Sequence, residues 1–388
     1  MDGDPPHFGS ADSLITIDIN AIVENWLYLN SLSSGATETA AVVKANAYGL
    51  GAADIAPALA IAGCRTFFVM SLAEAAVLRS ALAEADFPEA RIFTLSGCHP
   101  GQEAEYIANG ITPVLNSFPQ LERWRGLGLE GATRLPAALH IDTAMTRLGL
   151  DADETDRLLD LLRTNNDWLE PVALSCVMSH LAAGEDLADP ANGRQLTRFT
   201  EIGAAFTDVP LSLANSGGTL RGSAFHMSLT RPGIALYGLH PAGHEAVDDQ
   251  RDQAQKLQPA VKWQARILQR RTASAGDAVG YNGTHRLARD SRIVTLGVGY
   301  ADGYPRSLGN KARVEIAGET APVVGRVSMD SITVDVTDIA ESRIAAVEHA
   351  TVLGADYDLA SMARDADTIG YEILTQLGSR PARRHIVD

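Results

Sequence analysis

The chain has 388 residues, roughly two and a half times the ~150-residue domain prior, so two or three domains are expected. With 46% hydrophobic and 21% charged residues it has ample material for a core, which excludes a disordered, collagen-like or small disulfide-stapled chain. The 32 Lys and Arg face 48 Asp and Glu; a net charge of −16 repels phosphate backbones and anionic lipid, so neither nucleic acid nor a membrane is an expected partner.

Three cysteines, Cys64, Cys98 and Cys176, form no CxxC pair and no metal-ligand spacing. No bound metal is expected. An odd, sparse set points to reduced thiols. The first residues lack the basic-then-apolar run of a signal peptide, and no stretch approaches 18 uncharged apolar residues. A cytoplasmic protein is the expectation.

Residues 1–12 read as a leader, and the β-branched run Leu14–Ile19 as a first strand followed by a helical pattern through Trp26, Leu27 and Leu29. Short apolar runs then alternate with amphipathic segments such as Leu72–Asp86 and Asp153–Arg163. The runs are Ala41–Lys44, Thr66–Met70, Arg91–Leu95, Thr112–Leu115, Ala137–Ile141, Val172–Met178, Leu211–Ala214 and Gly233–Tyr237. Continuous apolar runs suit strands buried on both faces, and their alternation with helices implies parallel pairing. Eight such units predict a (β/α)8 TIM-like barrel. An open doubly wound sheet is the alternative, without its usual GxGxxG signal.

His240–Gln255 reads as a linker. Beyond it, Val261–Arg271, Arg292–Val298, Arg313–Ile316, Pro322–Val324 and Ser331–Val336 read as closely spaced strands, with one late helix, Leu359–Leu377. The predicted organisation is a barrel over residues 13–250 and a mainly β C-terminal domain over 251–388. Residues 13–19 are left between the two, as a strand that could pair with the second domain.

In a parallel barrel, functional residues sit at the C-terminal ends of strands. Lys44 takes that position, where apolar walls depress an amine pKa and free it as a nucleophile; a lone lysine there could equally snorkel to solvent. Arg147 follows the fifth run and His180 ends the sixth. Asn215-Ser216-Gly217-Gly218 follows the seventh, and Arg231-Pro-Gly-Ile lies at the eighth. Barrels commonly hold a phosphate after strands seven and eight, where glycine lets backbone amides approach. A lysine and a phosphate cradle at one mouth suggest pyridoxal 5′-phosphate (PLP).

Val43-Lys-Ala-Asn-Ala-Tyr-Gly49 resembles the cofactor-lysine motif of bacterial alanine racemases. Asp142-Thr-Ala-Met-Thr-Arg-Leu-Gly149, Arg231-Pro-Gly-Ile-Ala-Leu-Tyr-Gly238, Gly299-Tyr-Ala-Asp-Gly-Tyr304 and Gly325-Arg-Val-Ser-Met-Asp330 continue the resemblance in family order. It implies a PLP-dependent homodimer that interconverts L- and D-alanine, with small amino acids as substrates. Lys44 would carry the cofactor and act as acid/base on one face of the substrate Cα. Tyr281, 237 residues further on, would act on the other face from the partner subunit. Arg231 would donate to the pyridine nitrogen without surrendering a proton, and His180 would link it to the tyrosine.

By the same resemblance Arg147 would meet the cofactor's phenolic oxygen and the substrate carboxylate. Tyr48, Asn215, Ser216, Gly233, Ile234 and Tyr371 would hold the cofactor, chiefly its phosphate. Met329 would serve the substrate carboxylate from the partner, and Tyr300, Arg306, Arg326 and Asp330 would form the entryway. The chain departs from the pattern at His140, where many members carry a carbamylated lysine, at Ala144 and Thr146, which replace glycine-like neighbours, and at Leu50, where histidine is frequent. A serine or broad-specificity racemase shares every catalytic group. A non-catalytic PLP-binding barrel is the third alternative, disfavoured by the second domain.

Overall fold

A computed structural model describes residues 7–131, 133–186, 188–243 and 256–387. Short strands alternate with helices through the first 240 residues. After β1 (Ser13–Asp18) come β2 (Glu38–Thr39), β3 (Ala41–Val42), β4 (Thr66–Val69), β5 (Arg91–Thr94), β6 (Ile111–Leu115), β7 (Leu135–His140), β8 (Val172–Met178), β9 (Leu211–Ser212) and β10 (Leu229–Thr230). From β3 to β9 the strands pair in parallel and in chain order. β10 closes the ring. It pairs in parallel with β2, Ser228 donates its N–H to Leu211 O, and Arg231 donates its N–H to Ala214 O. β2 and β3 are two pieces of one strand, so the barrel has eight staves.

The helices between them start where the sequence offers an acceptor. Asp18, Ser71, Ser117, Asp151 and Asp189 each cap one by taking a first-turn N–H. In Ile19–Ser31 the residues Ile22, Trp26 and Leu29 recur at helical spacing and are buried.

One expected stave is misplaced. Gly233–Tyr237, read as the eighth strand, is a short 3-10 turn over Ile234–Tyr237, and the eighth stave is β10 just before it. Pro232 has no N–H for a ladder, and Gly238 at φ 86° turns the chain away.

The second unit is a mainly antiparallel sheet. β11 (Val261–Ala273) is its long axis, followed by β12 (Ala278–Val279), β13 (His285–Arg286), β14 (Ser291–Leu296), β15 (Arg313–Ile316), β16 (Glu319–Pro322), β17 (Ile332–Asp335), β18 (His349–Leu353) and β19 (Ala382–Ile386). β1 lies inside this sheet, antiparallel to β11 and parallel to β19. Strands β12, β13, β18 and β19 have no counterpart in the sequence reading, and the expected strand Pro322–Val324 meets β16 only at Pro322. The late helix is two, Leu359–Ala366 and Gly370–Thr375, parted at Asp367 with φ 61°. A third, short helix spans Glu341–Ala345. The boundary placed near residue 250 falls outside the described residues.

Polar side chains tie the units together. Buried Asn25 donates to Leu236 O (3.0 Å) and Gln258 O (2.9 Å) and accepts from Gln258 N–H. His385 on β19 reaches Leu50 O at 2.9 Å. Because β1 is a central strand, Ile15→Ala, at a position with no exposed surface, should destabilise the whole chain by about 2–5 kcal/mol. Thermal unfolding measures this; an unchanged melting temperature would contradict the placement.

Candidate active site

Lys44 stands two residues past the end of β3 and opens the turn Lys44–Tyr48. Ala45, Asn46, Ala47 and Tyr48 all have φ between 52° and 56°, a left-handed turn made without glycine. Such residues cost about 1–2 kcal/mol each, so the surroundings must hold them. Ala45 N–H donates to Glu74 Oε1 at 3.0 Å, and Asn46 Oδ1 accepts from Ala52 N–H at 2.9 Å. The turn drives the Tyr48 ring inward against Tyr237 (centroids 4.8 Å) and toward Tyr371 (6.0 Å). The Lys44 amine has no hydrogen-bond or ion-pair partner among the described residues. Burial and then Arg147 lower its pKa, while Glu74 pulls the other way.

Arg147 lies on the loop after β7. Asp142 shapes that loop, accepting the N–H groups of Ala144 (2.9 Å), Met145 (2.7 Å) and Thr146 (2.8 Å). Partial burial raises the Asp142 pKa, but these three donors and nearby His140 together hold it below its ordinary value. Ala144 and Thr146 have φ of 125° and 56°, where glycine would be unstrained.

His140, the last residue of β7, is buried, with Nδ1 2.8 Å from Asn116 Oδ1. The Asn116 amide nitrogen is committed to Leu95 O and Val114 O, so its oxygen is the acceptor and the histidine donates from Nδ1. Burial, then Arg231, with Arg147 adding to them against Asp142, push the His140 pKa down to about 4. The ring is neutral at working pH.

Arg231 is buried, following β10. It donates to Ser212 Oγ on β9 and to Ser179 O (2.6 Å) after β8, and lies 5.9 Å from the Phe68 ring centroid. No carboxylate pairs with it among the described residues. Burial brings its pKa down to about 10, so it stays protonated at neutral pH. His180 has no hydrogen bond to Arg231; its Nε2 lies 3.5 Å from Asn215 Nδ2. Burial, then Arg231 and Arg147, hold its pKa well below the ordinary value.

Asn215 Oδ1 accepts from Gly218 N–H at 3.1 Å, and Ser216 Oγ accepts from Gly233 (2.8 Å) and Ala235 (3.3 Å). The serine therefore keeps its own hydrogen for a further acceptor. A Cβ on Gly233 would come within 2.4 Å of the Tyr48 oxygen, and one on Gly217 within 1.7 Å of Gly184 O, so both closures require glycine.

Ten of the expected site residues line one cavity of about 810 Å³ at the C-terminal end of the staves. Lys44, Tyr48, Arg147, His180, Asn215, Ser216, Arg231, Gly233 and Ile234 come from the barrel, and Tyr371 from the helix Gly370–Thr375.

Family models of the alanine racemase N-terminal domain and C-terminal domain match residues 17–241 and 260–385. The chain belongs to the alanine racemase family. It is 46% identical over 369 residues to the alanine racemase of Acidiphilium cryptum, spanning 95% of this chain and 97% of that one. It is 43% identical over 382 residues to that of Brucella ovis, spanning 97% and 94%. Among solved structures it is similar to Bartonella henselae alanine racemase with covalently bound pyridoxal phosphate, with TM-score 0.88, 41% identity, and coverage of 97% of this chain and 100% of that one. The biosynthetic alanine racemase of Pseudomonas aeruginosa gives TM-score 0.85, 32% identity, and coverage of 97% and 100%.

Apart from Tyr371, the site residues expected from the second domain lie elsewhere on this chain. Tyr281 (68% exposed), Tyr300 (43%) and Met329 (52%) line no part of the chain's own cavity. They share a rim instead. Tyr300 N–H donates to Ser328 O and Ala301 N–H to Met329 O; Gly325 N–H donates to Asn310 Oδ1, and Asn310 Nδ2 to Thr284 Oγ1. Arg306 is exposed and Arg326 half-buried on these same loops. Asp330 pairs with Arg380, which also holds buried Asp302. Glu74 and Asn116 escaped the sequence reading. Ser71-Leu-Ala-Glu74 carries a helix-capping signature, but nothing local marks Asn116.

The cavity fits a pyridoxal phosphate. Among the described residues the Lys44 amine has no partner and the Tyr48 and Tyr371 hydroxyls no hydrogen bond; with the Ser216 hydroxyl and cationic Arg147 and Arg231 they match an aldehyde and acidic groups. Among the described residues no cluster of His, Cys, Asp and Glu offers a metal site. Between pH 6.5 and about 4 the unfolded chain takes a proton at position 140 that the folded chain refuses. The stability due to neutral His140 is thus present above pH 6.5 and lost as pH falls through that window, by about 3 kcal/mol. His140→Gln should show a shallower fall in melting temperature from pH 6.5 to 4; a slope equal to wild type would assign the loss to other groups.

Proposed function

We propose that this chain is a PLP-dependent racemase interconverting L-alanine and D-alanine by two-base proton transfer at Cα. The observation that carries the reading is the amine of Lys44, in a cavity that also holds Arg147, Arg231 and the Ser216 cradle, within a chain that both alanine racemase domain models match.

Pyridoxal phosphate, when bound, supplies the electron sink that makes the substrate Cα–H acidic. Lys44 would attach it through Nζ, and Tyr48, Asn215, Ser216, Gly233, Ile234 and Tyr371 would hold it, chiefly at the phosphate. Arg231 would donate a hydrogen bond to the ring nitrogen but, as a guanidinium, would hand over no proton. A sink left weak in this way would favour simple reprotonation over side reactions. Arg147 receives the substrate carboxylate. Burial and Arg147 lower the pKa of Lys44, which favours the neutral amine whose Nζ takes and returns the Cα proton.

A second proton-transfer group must stand on the opposite face of the substrate Cα. We assign that role to Tyr281 of the partner subunit. Its exposure on a rim shared with Tyr300 and Met329 supports a homodimer in which each second domain completes the other's site. On that reading Met329, Tyr300, Arg306, Arg326 and Asp330 border the substrate's path. We place the division between the units near residue 250, between the two matched regions. The free, buried cysteines and the absence, among the described residues, of any helix long and apolar enough to cross a membrane support a cytoplasmic enzyme.

Purified protein should racemise L-alanine faster than L-serine, L-lysine or L-arginine in a coupled assay; a clear preference for another substrate overturns the alanine assignment. Lys44→Ala and Tyr281→Phe should each abolish racemisation, and mixing the two inactive proteins should restore part of it through hybrid dimers. No recovery after demonstrated subunit exchange counts against the shared site.

A further inference from the structure

Glu74 sits in the helix Leu72–Glu84, one turn in from its cap. Ser71-Leu-Ala-Glu74 is an S-x-x-E signature, and Ser71 Oγ accepts the Glu74 N–H at 3.4 Å. In an ordinary capping box the glutamate would return to the N–H of the capping serine. Here it does something else. Oε2 accepts the N–H of Met70, one residue before the cap at the end of β4, at 2.6 Å. Oε1 crosses to the neighbouring stave and accepts the N–H of Ala45, directly after Lys44, at 3.0 Å. One carboxylate thus joins the ends of two adjacent barrel strands at the first residue of the left-handed turn.

We propose that Glu74 is a positioning residue for Lys44, fixing the backbone from which its amine projects and supplying a negative charge beside it. The turn needs such a hold. Ala45 is exposed and has φ 53°, so neither packing nor glycine keeps it left-handed. A bond to a charged acceptor is about twice as strong as a neutral one.

The charge matters because of what else surrounds Lys44. Arg147 faces it from the loop after β7, Arg231 from the segment after β10 and neutral His180 from the end of β8, while Tyr48 and Tyr371 close the phosphate side. Glu185 and Glu372 line the same cavity on the loop after β8 and the helix Gly370–Thr375. Of these charged groups, Arg147 lowers and Glu74 raises the pKa of the amine. Glu74 therefore restrains a depression that burial and Arg147 would otherwise carry further.

The inference rests on Lys44 being the cofactor lysine. Its test uses the full-length protein stripped of cofactor by hydroxylamine. Reattachment of added pyridoxal phosphate is followed by absorbance against pH, the amine condensing with the aldehyde and releasing one water. Borohydride fixation and peptide mass locate the product. In Glu74→Gln the neutral amine should persist to lower pH, so the midpoint of the rate curve falls below that of wild type. Its plateau rate should drop about tenfold as positioning is lost.

Glu74→Asp keeps the charge but shortens the reach, and should show a lower plateau at the wild-type midpoint. It also serves if the glutamine variant does not fold. A Glu74→Gln midpoint equal to or above wild type overturns the proposal, as does a Glu74→Asp plateau equal to wild type. Wild-type protein that takes the label anywhere but Lys44 defeats the underlying assignment instead.

Discussion

Burying Arg231 without a carboxylate is the constraint around which the barrel mouth is arranged. A buried cation costs several kcal/mol unless its donors are met. The structure meets them with Ser212 Oγ, Ser179 O and the face of Phe68, drawn from staves β9, β8 and β4. Those strands must end at matching heights for this to work. The same guanidinium helps keep His140 and His180 neutral, so positive charge at the mouth is confined to groups that can meet an anion.

Against that fixed cation the lysine is placed by strain. Four consecutive L-residues in the left-handed region would not persist in a free peptide, and their hold is distributed over Glu74, Asn46 and the packing of Tyr48. The hold reaches the second unit as well. A Cβ on Gly49, at the end of the turn, would lie 2.7 Å from Leu374 O, so the helix bearing Tyr371 rests directly on the lysine turn. Moving that helix would disturb the phosphate side and the amine together.

Much of this was legible in the residues. Apolar runs marked seven of the eight staves because strands buried on both faces leave no polar alternation. The eighth was misread because Ile234–Tyr237 is as apolar as a strand, and only Pro232 hints that no ladder follows. Strands β18 and β19 went unseen; β19, Ala382–Ile386, carries two arginines and a histidine and owes its conformation to pairing with β1 rather than to its composition. Lys44, Arg147 and Arg231 could be found because strand ends in a barrel converge. Asn116 could not. Its role depends on where β6 lies relative to β7, a tertiary fact with no local signature. The partners of Glu74 have no local signature either, since Ser71-Leu-Ala-Glu74 reads only as a helix cap.

The place of β1 has a consequence for how the chain is made. It lies between β11 and β19, so a strand is flanked by one that is synthesised long after it. β19 is translated roughly 360 residues after β1, a delay of tens of seconds at ~5–20 residues per second. Until then β1 has an open, apolar edge, and the second sheet cannot close. Closure of the second sheet thereby waits on translation of β19, and this family member should need protection of that edge on the ribosome more than its barrel topology alone would suggest.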